Sequence, residues 1–171
     1  MDAYRAIITK RDTRHFLPDP IPPDVLTRIL QAGRMAGSSK NSQPVRMVVV
    51  QDPERRAALA ACGDYAEHLK AAPLAIAVVL LPGGGPFDAG RAAQNLKVAA
   101  WDSGITSCPI AMHRQECARE VLGIPADHTI ATVLAMGYPD LKHPLSQGRQ
   151  RLPLDELVSW ERWGAHHPEG G

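Results

Sequence analysis

Apolar residues recur along the chain at two spacings, and each spacing predicts a different kind of element. Positions three and four apart predict helices over residues 2–9, 23–37, 53–62, 64–71, 88–103, 114–122 and 154–163. Continuous apolar runs at 74–81 and 129–137 lack polar alternation, which is typical of strands buried on both faces. Shorter runs at 45–50 and 105–112 predict two further strands, and an extended tail is expected from about residue 140.

Two of these helices have caps and faces that the sequence specifies. Asp2 is expected to cap the first helix, with Tyr4, Ile7 and Ile8 turned toward the core. Asp88 is expected to cap the long helix that follows the glycine-rich segment 82–85. Mostly small side chains form one stripe of this helix: Ala89, Ala92, Ala93, Leu96, Ala99, Ala100 and Ser103. Small residues let another backbone approach closely, so we expect core packing here, and a dimer seam is compatible with it.

The composition is that of one globular domain, residues 1–171, with 44% hydrophobic and 22% charged residues. A net charge of +1 gives no electrostatic case for nucleic acid or an anionic membrane. No apolar run reaches the roughly 18 residues of a membrane span, and the first ten residues are mixed and charged rather than signal-like. Cys62, Cys108 and Cys117 include no CxxC pair, which argues against a disulfide framework and favours a reducing, cytoplasmic compartment.

A polar loop at 37–44 stands directly before the strand at 45–50. Ser38, Ser39, Asn41 and Gln43 place several donors and acceptors in a short space, and amides suit the edge of a heterocyclic ring. Serine and asparagine are also common in a plain connection between a helix and a strand. The loop alone leaves both interpretations open.

A basic turn follows the first helix. Lys10, Arg11 and Arg14 supply cations, and Asp12 and Thr13 accept hydrogen bonds. Such a turn can hold a phosphate through charge-assisted contacts and backbone donors. Solvated cations are equally common at a helix carboxyl end, where the helix dipole favours them.

Other chemistry has weaker support in the sequence. No G-x-G-x-x-G fingerprint or Walker loop occurs, so a classical dinucleotide or P-loop nucleotide site is not indicated. His113 and Cys117 stand four apart on a helix, but without a second pair of ligands a surface histidine and a packed cysteine explain them better than a metal. Cys108 lacks a fixed base that would make it a nucleophile.

The order of several motifs resembles the FMN-dependent nitroreductase family across nearly the whole chain. The motifs are the basic turn 10–16, the loop 38–44, the helix 88–100 with Gln94-Asn95-Leu96, the segment 104–110, and Leu122-Gly123-Ile124-Pro125 leading to Gly137-Tyr138-Pro139. The resemblance implies an α+β fold with a mixed, mostly antiparallel central sheet flanked by helices. It also implies an intertwined homodimer with FMN at the subunit interface and the tail from about 140 packed on the partner.

The resemblance also implies roles for particular residues. Lys10, Arg11, Asp12 and Arg14 would hold the phosphate and flank the ribityl chain, and Arg149 and Arg151 would complete the phosphate cradle. Ser38, Ser39, Asn41 and Gln43 would reach the flavin of the partner subunit. Pro109, Ile110, Ala111 and Met112 would lie against the ring near N5, mainly through backbone groups. Tyr65, His68 and Lys70 precede the central strand where some members supply further flavin contacts.

The chemistry implied by the resemblance belongs to the flavin, with no catalytic side chain and no metal. NADH or NADPH would reduce FMN and leave, and a nitroaromatic, a quinone or a related acceptor would then take the electrons in a ping-pong mechanism. Two alternatives remain: a specialised flavoenzyme of the same fold, of flavin-fragmenting, dehalogenase or oxidase type, and a non-catalytic protein that binds flavin or a phosphate ligand.

The chain departs from the family pattern at a few positions. Asp12 stands where the family usually has a neutral residue, and an acid beside a phosphate is unfavourable unless it points outward or pairs with Arg11 or Arg14. Val45 replaces a frequent tryptophan, and Ala111 leaves only its backbone to act where some members carry an acid. The short connection 81–88 leaves no room for extra helices over the site, so an open site, or one roofed by the partner's tail, is expected.

Overall fold

The computed structural model describes residues 1–146 and 150–165, and within them the chain has an α+β fold. Its helices are α1 (Ala3–Thr9), α2 (Pro23–Arg34), α3 (Pro53–Ala60), α4 (Pro86–Asp102), α5 (Gln115–Leu122) and α6 (Leu154–Leu157). Its strands are β1 (Val45–Val50), β2 (Leu74–Leu80), β3 (Thr106–Ile110) and β4 (Thr129–Gly137). All four predicted strands are therefore present.

The strands form one sheet in the order β1-β2-β4-β3, in which every pair of neighbours is antiparallel. Val45 lies opposite Leu80, and Thr106 lies opposite Gly137. The α+β fold with a mostly antiparallel sheet, implied by the resemblance, is confirmed, and the parallel pairing is limited to an isolated bridge between Asp12 and Ser107. That bridge brings the basic turn to the edge strand β3.

Both faces of the sheet are covered, which explains the unbroken apolar run of β2. Ala75, Ala77 and Val79 face the core beneath α3 and α5. Leu74, Ile76, Val78 and Leu80 face the second core, beneath α2 and α4. Because alternate residues of a strand point to opposite faces, a strand between two cores must be apolar throughout.

Helices α2 and α4 pack closely because a glycine faces a leucine at their contact. A Cβ atom at Gly33 would lie 2.7 Å from Leu96 Cδ2, so a larger residue there would force the helices apart. Five residues of the small stripe are buried in this region: Ala89, Ala92, Ala93, Leu96 and Ala100. The prediction of core packing for the stripe is confirmed.

Helix α1 presents its large apolar side chains to solvent, so the prediction that they face the core is wrong within the protomer. Tyr4, Ile7 and Ile8 are 73%, 56% and 52% exposed, whereas Ala6 is buried. The small Ala6 lets α1 lie flat, and the indole Nε1 of Trp101 donates to Thr9 Oγ1 at 3.0 Å. Asp2 does cap the helix, since its carboxylate accepts from Arg5 N.

Several predicted boundaries move in the structure. Helix α4 begins at Pro86 with Gly85 at the cap, because proline suits the first helical position, so Asp88 lies in the first turn and does not cap it. Helix α2 ends at Arg34, short of the predicted 37. Residues 64–71 contain only a 3₁₀ turn, Glu67–Leu69, and the predicted tail helix is limited to α6.

The segment after β4 returns along the amino-terminal turn and so brings the carboxyl-terminal part of the chain to it. Leu17 N donates to Tyr138 O at 2.9 Å, and Asp140 N donates to His15 O at 3.1 Å. Farther on, Ser146 N donates to Asp12 O at 3.1 Å. These bonds fix the basic turn between β3 on one side and the carboxyl-terminal segment on the other.

A disulfide joins Cys62, just after α3, to Cys117 in α5, with their Cα atoms 5.6 Å apart. The prediction from the cysteine count is therefore wrong, because two residues 55 positions apart meet where α3 packs on α5. The argument for a reducing compartment loses its support. No helix in residues 1–146 or 150–165 has the length and apolar character needed to cross a membrane.

Candidate functional site

A cavity of about 790 Å³ opens beside the basic turn and is lined mainly by polar and cationic side chains. Its walls come from α1, the turn, α4 and the carboxyl-terminal segment: Ile7, Ile8, Lys10, Arg11, Asp12, Gln94, Lys97, Ser146, Gln150 and Arg151. Four cations and one carboxylate share these walls. We call this space the basic cavity, and its chemistry suits an anionic ligand.

The carboxylate of Asp12 lies between two lysines at the wall of the basic cavity. Lys10 Nζ is 2.6 Å from Asp12 Oδ1, and Lys97 Nζ is 3.4 Å from Asp12 Oδ2. Asp12 therefore pairs with two lysines, and not with Arg11 or Arg14, the partners that the sequence suggested for it. Burial lowers the pKa of Lys97, and the carboxylate of Asp12 acts in the opposite direction.

The remaining residues predicted to bind phosphate differ in whether their side-chain donors already bond to the protein. Arg11 Nη1 donates to the carbonyls of Ile8 and Lys10 at 3.1 and 2.9 Å, which caps the carboxyl end of α1. Arg151 is exposed at the mouth of the basic cavity. Arg149 lies outside the described residues. The basic turn thus serves both the fold and the cavity.

A second cavity of about 430 Å³ adjoins the first, since Asp12 and Ser146 line both. Arg14, His15, Cys108 and Pro109 form much of its wall. Burial raises the pKa of the Cys108 thiol, and the nearby Arg14 offsets this in part. A buried neutral thiol is a poor nucleophile, and the sequence likewise offers no fixed base that would activate Cys108.

The segment 109–112 alternates between exposed and buried positions, and Pro109 lines the second cavity. Pro109 and Ala111 are exposed, whereas Ile110 and Met112 are buried beneath α3 and α5. A Cβ atom at Gly63 would lie 3.1 Å from Ala111 O, so a glycine there lets the two backbones approach. The disulfide lies beside this contact and ties α5, which follows the segment, to the end of α3.

His15 lines the second cavity, and His143 stacks on it. The rings of His15 and His143 stack with centroids 3.9 Å apart, and Asp140 Oδ2 lies 3.2 Å from His143 Nδ1. Burial lowers the pKa of His68, with further lowering by Arg14 and His15. Tyr65 and Lys70 are exposed, and neither lines the two cavities.

The loop 37–44 stands apart from both cavities within the protomer. Ser39, Asn41 and Gln43 are exposed, and Ser38 Oγ accepts from Gln43 N at 2.8 Å. Lys40, Asn41 and Gln43 have φ angles of 51°, 54° and 48°, in the left-handed region that residues other than glycine rarely adopt. Strained backbone of this kind often marks a functional site.

The predicted site residues therefore form two groups within one protomer. The turn residues Lys10, Arg11, Asp12 and Arg14 meet Pro109 and Arg151 at the two adjoining cavities. Ser38 and Gln43 line only a smaller space of about 150 Å³, which shares no residue with those two cavities. Among residues 1–146 and 150–165, no cluster of three or more histidine, cysteine or acidic side chains is placed to bind a metal.

Comparison with known proteins identifies the family of the chain. The model of the Nitroreductase family matches residues 7–80 and 83–138. The chain belongs to the Nitroreductase family. Membership makes it an oxidoreductase.

Individual relatives of the nitroreductase chain match it nearly end to end. A protein named NADH dehydrogenase from Thermus thermophilus is 29% identical over 200 aligned residues, covering 94% of this chain and 96% of the relative. An NADPH-flavin oxidoreductase from Vibrio harveyi is 31% identical, covering 92% of this chain and 72% of its own. A candidate nitroreductase from Desulfovibrio desulfuricans, crystallised with FMN, superposes with a TM-score of 0.84 at 25% identity, covering 95% and 98% of the two chains.

Lys97 is the residue of this nitroreductase site that the sequence reasoning missed. It lies four positions after Ala93 and three before Ala100, and both alanines are buried. A lysine at this helical spacing, beside a stripe of small apolar residues, is the sequence feature that could have predicted a buried cation. Its side chain is only 11% exposed. A charged residue that is mostly buried usually has a partner or a ligand, and here the partner is the acid of the basic turn.

Proposed function

We propose that this protein is an FMN-dependent oxidoreductase that oxidises NADH or NADPH and reduces a nitroaromatic, a quinone or a related small acceptor. Family membership gives the reaction class. The observation that carries the cofactor assignment is the basic cavity, where four cations from three separate parts of the chain face one space beside the cavity that Pro109 lines.

The residues present fit FMN on two grounds. The basic cavity offers cationic donors, which suit a dianionic phosphate monoester. The adjoining cavity offers Arg14, Pro109 and a buried neutral thiol, which suit an uncharged ring with polar edges. Because Asp12 and Ser146 line both spaces, one elongated molecule with a charged end and a flat end can occupy them together.

Roles follow from these positions. Lys10, Arg11 and Arg151 would hold the phosphate, and Arg149 is proposed for the same role from the resemblance. Arg14 and the exposed residues Pro109 and Ala111 would face the ring. When bound, FMN would accept hydride from the reduced nicotinamide and later give electrons to the second substrate. The protein would supply orientation and a positive field, which favours the reduced, more anionic flavin.

A homodimer is part of the proposal, with the loop 37–44 serving the partner's site. The loop reaches neither cavity of its own chain, yet it is strained and presents its polar side chains outward. Large apolar groups are also exposed on α1 and in the carboxyl-terminal segment, where Trp163 is 100% exposed. Such surfaces are typical of interfaces rather than of free protein surface. We propose that the partner covers them.

The test is spectroscopic. Purified protein is mixed with FMN, freed of excess by gel filtration, and titrated anaerobically with NADH and with NADPH. Bound flavin absorbance that one of the nucleotides bleaches, and that a quinone or a nitroaromatic restores, is the expected result. Protein that retains no FMN contradicts the proposal. Retained FMN that neither nucleotide bleaches supports the non-catalytic binding alternative, and product analysis after aerobic turnover separates the specialised flavoenzymes.

A cytoplasmic location is also proposed, and the disulfide makes it worth testing directly. Denaturing lysis of cells with an alkylating reagent present, followed by mass spectrometry, would show whether Cys62, which is fully buried, and Cys117 are free or joined. Alkylation of both residues is expected in a reducing compartment, where the disulfide of the structure would be reduced. A persistent disulfide in cells would contradict a cytoplasmic location of the ordinary kind.

A further inference from the structure

The basic cavity holds a charge arrangement that its predicted phosphate residues do not account for. Lys10 and Lys97 come from parts of the chain 87 positions apart, and both approach one carboxylate. Their side chains are 12% and 11% exposed, whereas that of Asp12 is 34% exposed. The two ammonium groups are thus the more buried members of the cluster.

The charges of this cluster do not cancel. Two lysines and one carboxylate leave one positive charge, and Arg11 and Arg151 at the same cavity add two more. A buried cation is costly unless it is paired, and burial lowers the pKa of Lys97 accordingly. The site therefore carries unbalanced positive charge in the way expected of a pocket for an anionic ligand.

Packing in helix α4 does not require a charged residue at position 97. Its buried stripe consists of alanines and Leu96, and the mostly buried side chain of Lys97 lies on the same helix. An apolar residue would fill the same space without the desolvation of an ammonium group. The charge is therefore explained better by a ligand than by packing.

We propose that Lys97 binds the FMN phosphate, and that Asp12 is a positioning residue that holds Lys10 and Lys97 in place without contacting the phosphate. This inference rests on the proposed function. It resolves the presence of an acid in a phosphate site, because the carboxylate is turned to the lysines and keeps their ammonium groups together at one wall.

The role of Asp12 can be determined from whether one substitution strengthens or weakens FMN binding. If Asp12 acted through its charge alone, Asp12→Asn would remove a repulsive group and strengthen FMN binding. If Asp12 positions the lysines, Asp12→Asn weakens FMN binding, because a neutral amide holds two ammonium groups less firmly than a carboxylate does.

The experiment compares FMN with riboflavin, which lacks the phosphate, by fluorescence titration of the full-length protein. Lys97→Met is expected to weaken FMN binding at least about tenfold while changing riboflavin binding less than about twofold. Lys97→Arg keeps the charge and should recover most of the loss. Asp12→Asn should weaken FMN binding about threefold or more and leave riboflavin unchanged. Arg55→Met, at an exposed cation of α3 that lines neither cavity, is the control.

The outcomes separate this inference from the function beneath it. Wild-type protein that binds neither flavin overturns the proposed function and the inference with it. If wild-type protein binds FMN and Lys97→Met binds it with the same affinity, only the inference is overturned. Tighter FMN binding by Asp12→Asn overturns the positioning role of Asp12. If Lys97→Met loses both flavins, Lys97→Gln is titrated in its place, and loss of both flavins there also overturns the inference.

Discussion

The basic cavity and the loop 37–44 are both held at a cost to stability, but the cost is of a different kind in each. In the basic cavity it is electrostatic, because two mostly buried lysines share one carboxylate. In the loop it is conformational, because Lys40, Asn41 and Gln43 have positive φ angles. The first region is assembled from distant parts of one chain, whereas the second presents its polar groups outward.

This difference indicates how a site can be divided between two chains. A region that carries excess charge and encloses a space can bind a ligand by itself. A strained loop that encloses little can contribute only to a space formed with another surface. The cavity should therefore contribute most of the affinity for the cofactor. The loop should add a smaller contribution, and only when two chains form a dimer.

The largest expected effect tests the dominance of the cavity. Lys10→Glu places a second acid beside Asp12 and removes a cation, so FMN binding should weaken by about 2 kcal/mol or more, roughly thirtyfold. Fluorescence titration measures it, and Arg55→Glu is the matched reversal on an exposed part of α3. Equal FMN affinities for the two variants would show that the basic cavity is not part of the cofactor site.

The sequence was sufficient for the strands and for one half of the site. The unbroken apolar run of β2 predicts a central strand because both faces are covered. The basic turn is contiguous in the chain, so its charges can be recognised from the sequence alone. The pairing of Lys97 with Asp12 cannot be recognised in this way, because these residues are 85 positions apart and their contact depends on how α4 packs.

Long-range contacts explain the other errors as well. The disulfide was missed because cysteine spacing does not report that α3 and α5 meet. The outward face of α1 was misassigned because helical spacing shows that a stripe is apolar without showing which surface covers it. Both errors concern what an element packs against, and the identity of the element itself was predicted correctly.

The second prediction tests whether the loop serves the partner. Arg14→Glu and Asn41→Asp should each weaken FMN binding about tenfold in their own homodimers. Mixed dimers, purified with two different tags, would have one site carrying both defects and one intact site. Half of the wild-type flavin content is therefore expected. Mixed dimers with almost no bound FMN would show that the loop acts on its own chain.

The third prediction measures the conformational cost in the loop. Lys40→Gly should raise the free energy of unfolding by about 0.5–1 kcal/mol, because glycine adopts a positive φ without strain. Ser42→Gly is the matched control in the same loop, where φ is −66°, and it should lower stability by a similar amount. Urea unfolding of the cofactor-free protein measures both. A loss of stability in Lys40→Gly would contradict the assignment of strain to this residue.

The smallest effect concerns the electrostatic cost in the cavity, and its sign depends on pH. Burial lowers the pKa of Lys97 in the folded protein, so the unfolded chain binds its proton more tightly and stability rises as pH increases toward the ordinary lysine value. Lys97→Met removes this penalty. Without cofactor, the variant should be more stable than wild type at neutral pH, and the difference should shrink as pH rises through the lowered pKa.

Urea unfolding at a series of pH values would show this trend, with Lys70→Met as the control, since Lys70 is an exposed lysine paired with Glu67. Removing a surface ion pair should change stability by about 0.5 kcal/mol or less. A Lys97→Met variant that is less stable than wild type at neutral pH would mean that the pairing with Asp12 outweighs the burial of the ammonium group. The lysine would then be a structural residue that stabilises the fold, and the cavity would not be held at a cost as the loop is.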